Sequence, residues 1–147
     1  MSAIMGIDPG AVSAAWGMIG VNEAMADDVP VAGKMVDGRA FSRLVAELEP
    51  DFAVVERVSA MPKQGVSSSF RFGQGYGILL GVLASHGVEI RDVAPGMWKK
   101  HFRISSDKEQ ARALAIKRFP LVDLGRKKDA GRAEALLMAL WGLETGL

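Results

Sequence analysis

Two short runs, AIMGID (3–8) and DFAVVE (51–56), each carry a stretch of apolar residues into a single carboxylate. Runs this short suit strands. A strand without polar alternation belongs inside a sheet that is covered on both faces, so the chain must also supply helices to cover it. Asp8 is followed by Pro9 and Gly10, and so stands where its strand leaves the sheet and the chain turns. A carboxylate there is either a turn-former or a chemical tool.

The rest of the chain supplies the expected partners. AAWGMIGV (14–21) reads as a second strand and VPVAGKMV (29–36) as the place of a third, giving an antiparallel meander. GRAFSRLVAELEP (38–50) puts Phe41, Leu44, Val45 and Leu48 on one helical face before Pro50 stops it. SSSFRFGQGYGILLGVLASHG (67–87) begins with serines able to cap a helix and ends at Gly87. Gly73, Gly75, Gly77 and Gly81 weaken that helix by about 1 kcal/mol each relative to Ala, which predicts a closely packed neighbour. VEIRDVAP (88–95) reads as a fifth strand. SSDKEQARALAIKRF (105–119) and DAGRAEALLMALWGLETG (129–146) read as helices, the second with Leu136, Leu137, Leu140 and Trp141 as its core stripe. The order β-β-β-α-β-α-β-α-α predicts an α/β protein of ribonuclease H-like fold, a mixed five-stranded sheet with helices on both faces.

With 147 residues, 49% of them hydrophobic, there is material for one core, read as one domain over 1–147. No cysteine is present, which excludes a disulfide framework and thiolate metal sites. No leader pattern and no apolar stretch near about 18 residues is seen, so a soluble, cytoplasmic protein that does not enter a membrane is expected, in the host cytoplasm if viral. The net charge of +1 conceals an asymmetry. Residues 1–56 hold nine acids and three bases, whereas 99–132 hold eleven Lys or Arg and four acids. Those windows predict a basic face that follows a polyanion beside an acidic region that takes cations, with a solvated helical surface as the plain alternative.

Neighbouring strands that end in Asp8 and Glu56 would bring both carboxylates to the carboxyl edge of the sheet, and the last helix adds Asp129 and Glu134. Carboxylates packed together repel one another unless divalent cations lie between them. Oxygen donors without Cys or His point to Mg²⁺ or Mn²⁺, and two such ions about 3.5–4 Å apart suit in-line phosphoryl transfer. Each acid also has an ordinary reading, Asp8 as a turn residue, Glu56 as a strand-end acid partnered by Arg57, Asp129 as a cap and Glu134 as solvated surface. His86 and His101 show no ligand spacing.

GIDPG, AVVERV, SFRFGQGYGILLGVL, VAPGMWKKHF with SSDKEQAR, and KKDAGRAEALLMALWG together resemble RuvC-type Holliday-junction resolvases, most closely the short bacteriophage form. The resemblance implies a homodimer that acts in DNA recombination and repair on four-way DNA junctions with Mg²⁺ or Mn²⁺. Each subunit would nick one strand to leave a 5′-phosphate and a 3′-hydroxyl. It implies catalytic and metal-binding roles for Asp8, Glu56 and Glu134. The position three residues before Glu134, acidic or His in the bacterial enzymes, is Gly131 here, which leaves Asp129 as the candidate fourth ligand. Asp129 and Glu134 are about 140° apart on an ideal helix, a poor same-face pair unless Asp129 lies at the cap.

Lys99, Lys100, Lys108, Arg112, Arg126, Lys127, Lys128 and Arg132 are expected to hold phosphates, with Lys127 or Lys128 also placed to stabilise transition-state charge. Phe70 and Phe72 are candidates to meet junction bases, with core packing as the alternative for each. Lys63, with Met61 and Gln64, offers contacts from the MPKQG loop. Two rivals remain. One is a branched-DNA-binding module of the same fold that has lost cleavage. The other is a nuclease directed at forks or flaps. Actin-like and sugar-kinase ATPases share a related first strand, but they need two such domains, which this length does not supply.

Overall fold

The computed structural model describes residues 2–10, 13–59 and 63–146. A meander of β1 (Ile4–Asp8), β2 (Ala15–Ile19) and β3 (Ala24–Asp28) is antiparallel throughout. A two-stranded ribbon, β4 (Val31–Ala32) and β5 (Met35–Val36), then leads into α1 (Gly38–Leu48). β6 (Phe52–Glu56), α2 (Val66–Ser85) and β7 (Glu89–Val93) follow. The chain ends in α3 (Pro95–His101), α4 (Lys108–Arg118), a 3-10 turn (Lys127–Asp129) and α5 (Ala130–Glu144). The sheet order is β3-β2-β1-β6-β7, with β6 parallel to β1 and β7 parallel to β6. This is the expected mixed five-stranded sheet.

Three local expectations are corrected. The third strand lies at Ala24–Asp28, because Gly33 takes a left-handed φ of 64° and folds 31–36 back on itself as the ribbon. A short helix spans Pro95–His101, where the sequence reading has no element. Pro95 sits in its first turn, where a fixed φ helps, and buried Trp98 anchors it. The serines 67–69 lie inside α2, whose N-cap is Gly65 with no side-chain cap bond.

Side-chain alternation divides the sheet between two cores. Met5, Ile7, Ala53 and Val55 pack on one face with Phe41 and Val45 of α1 and Leu79 and Leu83 of α2. Ile4, Val54 and Val93 pack on the other with α5, Trp98 of α3, and Ala111 and Ala115 of α4. Among the described residues, Gly75 alone within α2 meets a close neighbour, Val36 Cγ2 at 3.4 Å from a Cβ built there. Among the described residues nothing lies within 4 Å of a Cβ at Gly73, Gly77 or Gly81, so the expected close neighbour is found at Gly75.

The decisive close approach is elsewhere. Gly6 pairs with Gly17 across β1 and β2, and together they leave a flat patch for α5. A Cβ on Gly6 would overlap the Ala135 carbonyl oxygen, and one on Gly17 would come within 2.7 Å of the Leu136 amide nitrogen. The backbone of α5 therefore rests on the sheet backbone. Real Cβ contacts are never this short, so only glycine fits at these positions.

Candidate active site

Ile7 pairs with Val55, so Asp8 and Glu56 occupy the next positions at the same edge of adjacent parallel strands. By strand alternation both share the α5 face with Ile4, Gly6 and Val54. α5 enters over that edge, bringing in Glu134, which is only 5% exposed. The Asp8 carboxyl is pushed up to about 7 by burial and by the negative charges of Glu134 and Glu56, against weaker opposing effects of Lys108 and the Gly10 amide. Burial also raises Glu56, and Glu134 adds to this, while a hydrogen bond from Trp98 and the charges of Lys99 and Lys108 oppose the rise. Three of the four expected acids thus act on one another electrostatically.

Two of the three are also held by neighbours. Trp98 Nε1 donates to Glu56 Oε2 at 2.9 Å. Glu134 lies between two ammonium groups, with Lys108 Nζ 3.3 Å from Oε2 and Lys99 Nζ 3.8 Å from Oε1. Burial works against the charge on Lys108, but Glu134, Asp8 and Glu56 together raise its pKa. Among the described residues, no three acids or histidines are gathered tightly enough to enclose an ion as they stand. The donor chemistry nevertheless suits Mg²⁺ or Mn²⁺: three hard oxygen donors, one of them costly to ionise without a cation beside it.

Asp129 is not brought to this cluster. It closes the 3-10 turn, 1% exposed, and accepts from the Arg126 backbone amide at 2.9 Å and from Arg126 Nη2 at 2.8 Å. Arg132 Nη1 stands 3.7 Å from the same carboxylate. The hydrogen bond from Arg126 leads the effects that hold Asp129 below the usual carboxylate range. The α5 residue that faces Asp8 is Gly131, where a Cβ would sit 3.2 Å from Asp8 Oδ2. An open cleft of about 370 Å³ lies there, lined by Asp8, Ser13, Asp28, Lys108, Lys127, Lys128 and Gly131 among others.

The expected DNA contacts divide in two. Lys63, Lys100, Lys127 and Lys128 are exposed, and Lys108 is exposed along most of its side chain. Lys99 turns inward, its ammonium also 5.4 Å from the Trp98 ring centre. Arg112, Arg126 and Arg132 are engaged within the protein. Arg112 binds Glu109 at 2.8 Å and the Leu124 carbonyl at 3.0 Å, and Arg126 binds Asp129. Arg132 spans Asp27 at 3.1 Å and Asp28 at 3.0 Å, fastening β3 to α5. Phe70 is 68% exposed and packs in neither core, while Phe72 is half-buried against the ribbon and Pro9. Gln64 Nε2 donates to Ser68 Oγ at 3.2 Å, and Met61 lies outside the described residues.

Sequence reasoning missed Trp98 and Arg103. A lone tryptophan in VAPGMWKKHF was the only signal for the first. Arg103 adopts a left-handed φ of 57° and joins Lys99, Lys100, Ser105 and Ser106 along a groove of about 600 Å³. No helix among the described residues is long and apolar enough to cross a membrane.

No protein-family model matches the chain. It is 29% identical over 108 residues to the crossover junction endodeoxyribonuclease RuvC of Nitratidesulfovibrio vulgaris, covering 66% of this chain and 64% of that protein, so it spans slightly less than two thirds of that curated relative. The corresponding proteins of Serratia proteamaculans and Parvibaculum lavamentivorans are 24% and 27% identical, over 95% and 97% of this chain and 86% of each relative. Among solved structures, T. thermophilus RuvC in complex with Holliday junction substrate superposes with a TM-score of 0.74 at 18% identity, covering 97% of this chain and 93% of that one. The yeast mitochondrial Holliday junction resolvase gives 0.58 at 10% identity, over 94% and 76%. In sequence and fold the chain is similar to RuvC-type resolvases, and its fold is ribonuclease H-like.

Proposed function

We propose that the chain is a metal-dependent, structure-selective endonuclease, a single nuclease domain that acts as a homodimer on four-way DNA junctions. Paired nicks would leave 5′-phosphate and 3′-hydroxyl ends. The observation that carries this reading is the meeting of Asp8, Glu56 and Glu134 at one sheet edge beside a lysine-lined cleft, with Asp8 raised to about 7 by burial and its acidic neighbours. The named activity of the similar proteins supports the substrate class. The likeness to the short bacteriophage form rests on the motifs quoted from the sequence.

Asp8, Glu56 and Glu134 would hold Mg²⁺ or Mn²⁺, which when bound supplies Lewis-acid charge at a phosphate and lowers the pKa of a coordinated water. The chain's own groups do the rest. Trp98 fixes the orientation of Glu56 through its indole N–H. Lys127 and Lys128, exposed on the cleft that Asp8 lines, are placed to neutralise a phosphodiester that enters it. Phe70 presents an apolar ring to unstacked bases. The pair of ions expected from sequence would need a fourth donor on α5, where the structure presents Gly131 to Asp8.

The test is cleavage of a synthetic four-way junction with Mg²⁺ or Mn²⁺, compared with a fork and a linear duplex. Symmetric nicks on the junction that are lost in Asp8→Asn, with junction binding retained, are expected. A wild-type protein that binds without cutting would refute the nuclease. The second reading, a catalytically silent module that binds branched DNA, would then stand, favoured by the pairing of Asp129 with Arg126 and of Glu134 with Lys108.

A further inference from the structure

Resting on the nuclease reading, we propose that the acidic cluster of this chain holds one divalent cation per protomer, and that the Lys108 ammonium supplies the charge a second cation would bring.

The first support is the donor count. Three carboxylates act on one another, and the fourth acid of the segment, Asp129, is spent on Arg126 at 2.8 Å and faces Arg132 at 3.7 Å. Releasing it would leave two guanidinium groups without their shared partner. The backbone position on α5 that does face Asp8 is residue 131, where a built Cβ lies 3.2 Å from Oδ2. A donor there would share a cation with Asp8, and glycine offers none.

The second support is charge. Three carboxylates carry three negative charges, and two divalent cations would exceed them by one before any lysine is counted. One divalent cation with the Lys108 ammonium balances them. Lys108 Nζ, 3.3 Å from Glu134 Oε2, is within electrostatic reach of Asp8 and Glu56 as well. Lys99, 3.8 Å from the other Glu134 oxygen, adds a second ammonium to the cluster, while Lys127 and Lys128 on the cleft are left to meet the phosphodiester. A second divalent cation near Glu134 would have to displace these ammonium groups or tolerate their repulsion.

One further carboxylate borders the cleft. Asp28 is aligned with Asp8 through Ala15 across β2, but it is bound to Arg132 at 3.0 Å. It is the acid a second cation would recruit if the proposal were wrong.

The experiment uses the full chain bound to a non-cleavable four-way junction and titrated with Mn²⁺, followed by electron paramagnetic resonance with the junction alone subtracted. The wild type is expected to hold one ion per protomer with the spectrum of an isolated Mn²⁺. Gly131→Asp combined with Lys108→Gln is expected to hold two ions with a spin-coupled spectrum, and its retained first ion and junction binding report that it is folded. A spin-coupled pair in the wild type overturns the proposal, and its loss in Asp28→Asn would assign the extra ligand. A double variant that still holds a single ion overturns the assignment to Gly131 and Lys108. Cleavage is not read, so a failure of the nuclease reading shows separately. A wild type that binds no Mn²⁺ overturns both the ion count and the metal site beneath it.

Discussion

Replacing Asp8 with Asn should make the metal-free protein more stable at neutral and alkaline pH. In the unfolded chain Asp8 releases its proton near 3.8, whereas in the fold it does so at about 7. Between those values the folded state binds more protons than the unfolded state, so stability falls as pH rises through that window and stays reduced above it. At about 1.4 kcal/mol per pH unit the full cost of the ionised carboxylate approaches about 4 kcal/mol. Water entering the open cleft lowers that figure, and about 2 kcal/mol is the working expectation. Asn cannot ionise and escapes the loss.

The assay is thermal unfolding in EDTA at pH 4.5 and pH 8. At about 2–4 °C per kcal/mol for a chain of this size, Asp8→Asn should melt about 4–8 °C above the wild type at pH 8. Near pH 4.5 most of that difference should vanish, because folded wild-type Asp8 is then protonated. Excess Mn²⁺ should raise the wild-type midpoint more than the variant's, since the variant keeps Glu56 and Glu134 but lacks the most strongly repelled carboxylate. An Asp8→Asn protein no more stable than wild type at pH 8 would refute the claim that burial, with the charges of Glu134 and Glu56, holds Asp8 against its own charge.

Asp129→Asn removes the shared partner of Arg126 and Arg132 and should cost about 1–3 kcal/mol in denaturant unfolding, while calorimetric Mn²⁺ affinity stays within about twofold. A loss of tenfold or more would return Asp129 to the metal shell. Trp98→Phe keeps the buried ring but deletes the donor to Glu56, so junction cleavage should slow by about 10-fold or more with the fold intact by circular dichroism. Unchanged cleavage would mean that Glu56 needs no orienting group. Phe70→Ala should change stability by less than about 0.5 kcal/mol because the ring is exposed, yet reduce the unstacking reported by 2-aminopurine at the crossover. Equal fluorescence would remove Phe70 from the DNA interface.

Hydrophobic patterning was sufficient wherever an element buried a continuous face. AIMGID, AAWGMIGV and FAVVE needed only their apolar runs, and the final helix, buried nearly all round, only its Ala and Leu content. AMADD was overlooked because β3 is an edge strand whose last two residues, Asp27 and Asp28, face solvent and Arg132. Seven residues of α3 are too few to show a period, and a single buried indole holds them. In the site, Asp8 and Glu56 were legible because each terminates an interior strand. The engagement of Asp129 was not legible, because its partners, Arg126 and Arg132, lie one helical turn away on either side and only the fold shows that they bind it. Sequence counted the acids and bases near that turn but could not say which would pair.

What joins the fold to the site is the glycine pair beneath α5. Gly6 and Gly17 let the helix backbone touch the sheet, and that contact fixes its position along β1 as well as its height above it. Ala135 lies over Gly6 and Gly131 lies against Asp8. Two residues of strand advance about 6.6 Å and four residues of helix about 6 Å, so the two backbones stay in step from one contact to the next. Glu134, adjacent to the residue over Gly6, is carried to the acidic edge by the same registration. The donor that α5 can offer to Asp8 is therefore decided by which residue occupies 131. In this chain it is glycine, and Lys108, supplied from α4, brings positive charge to the same cleft and acts on Asp8.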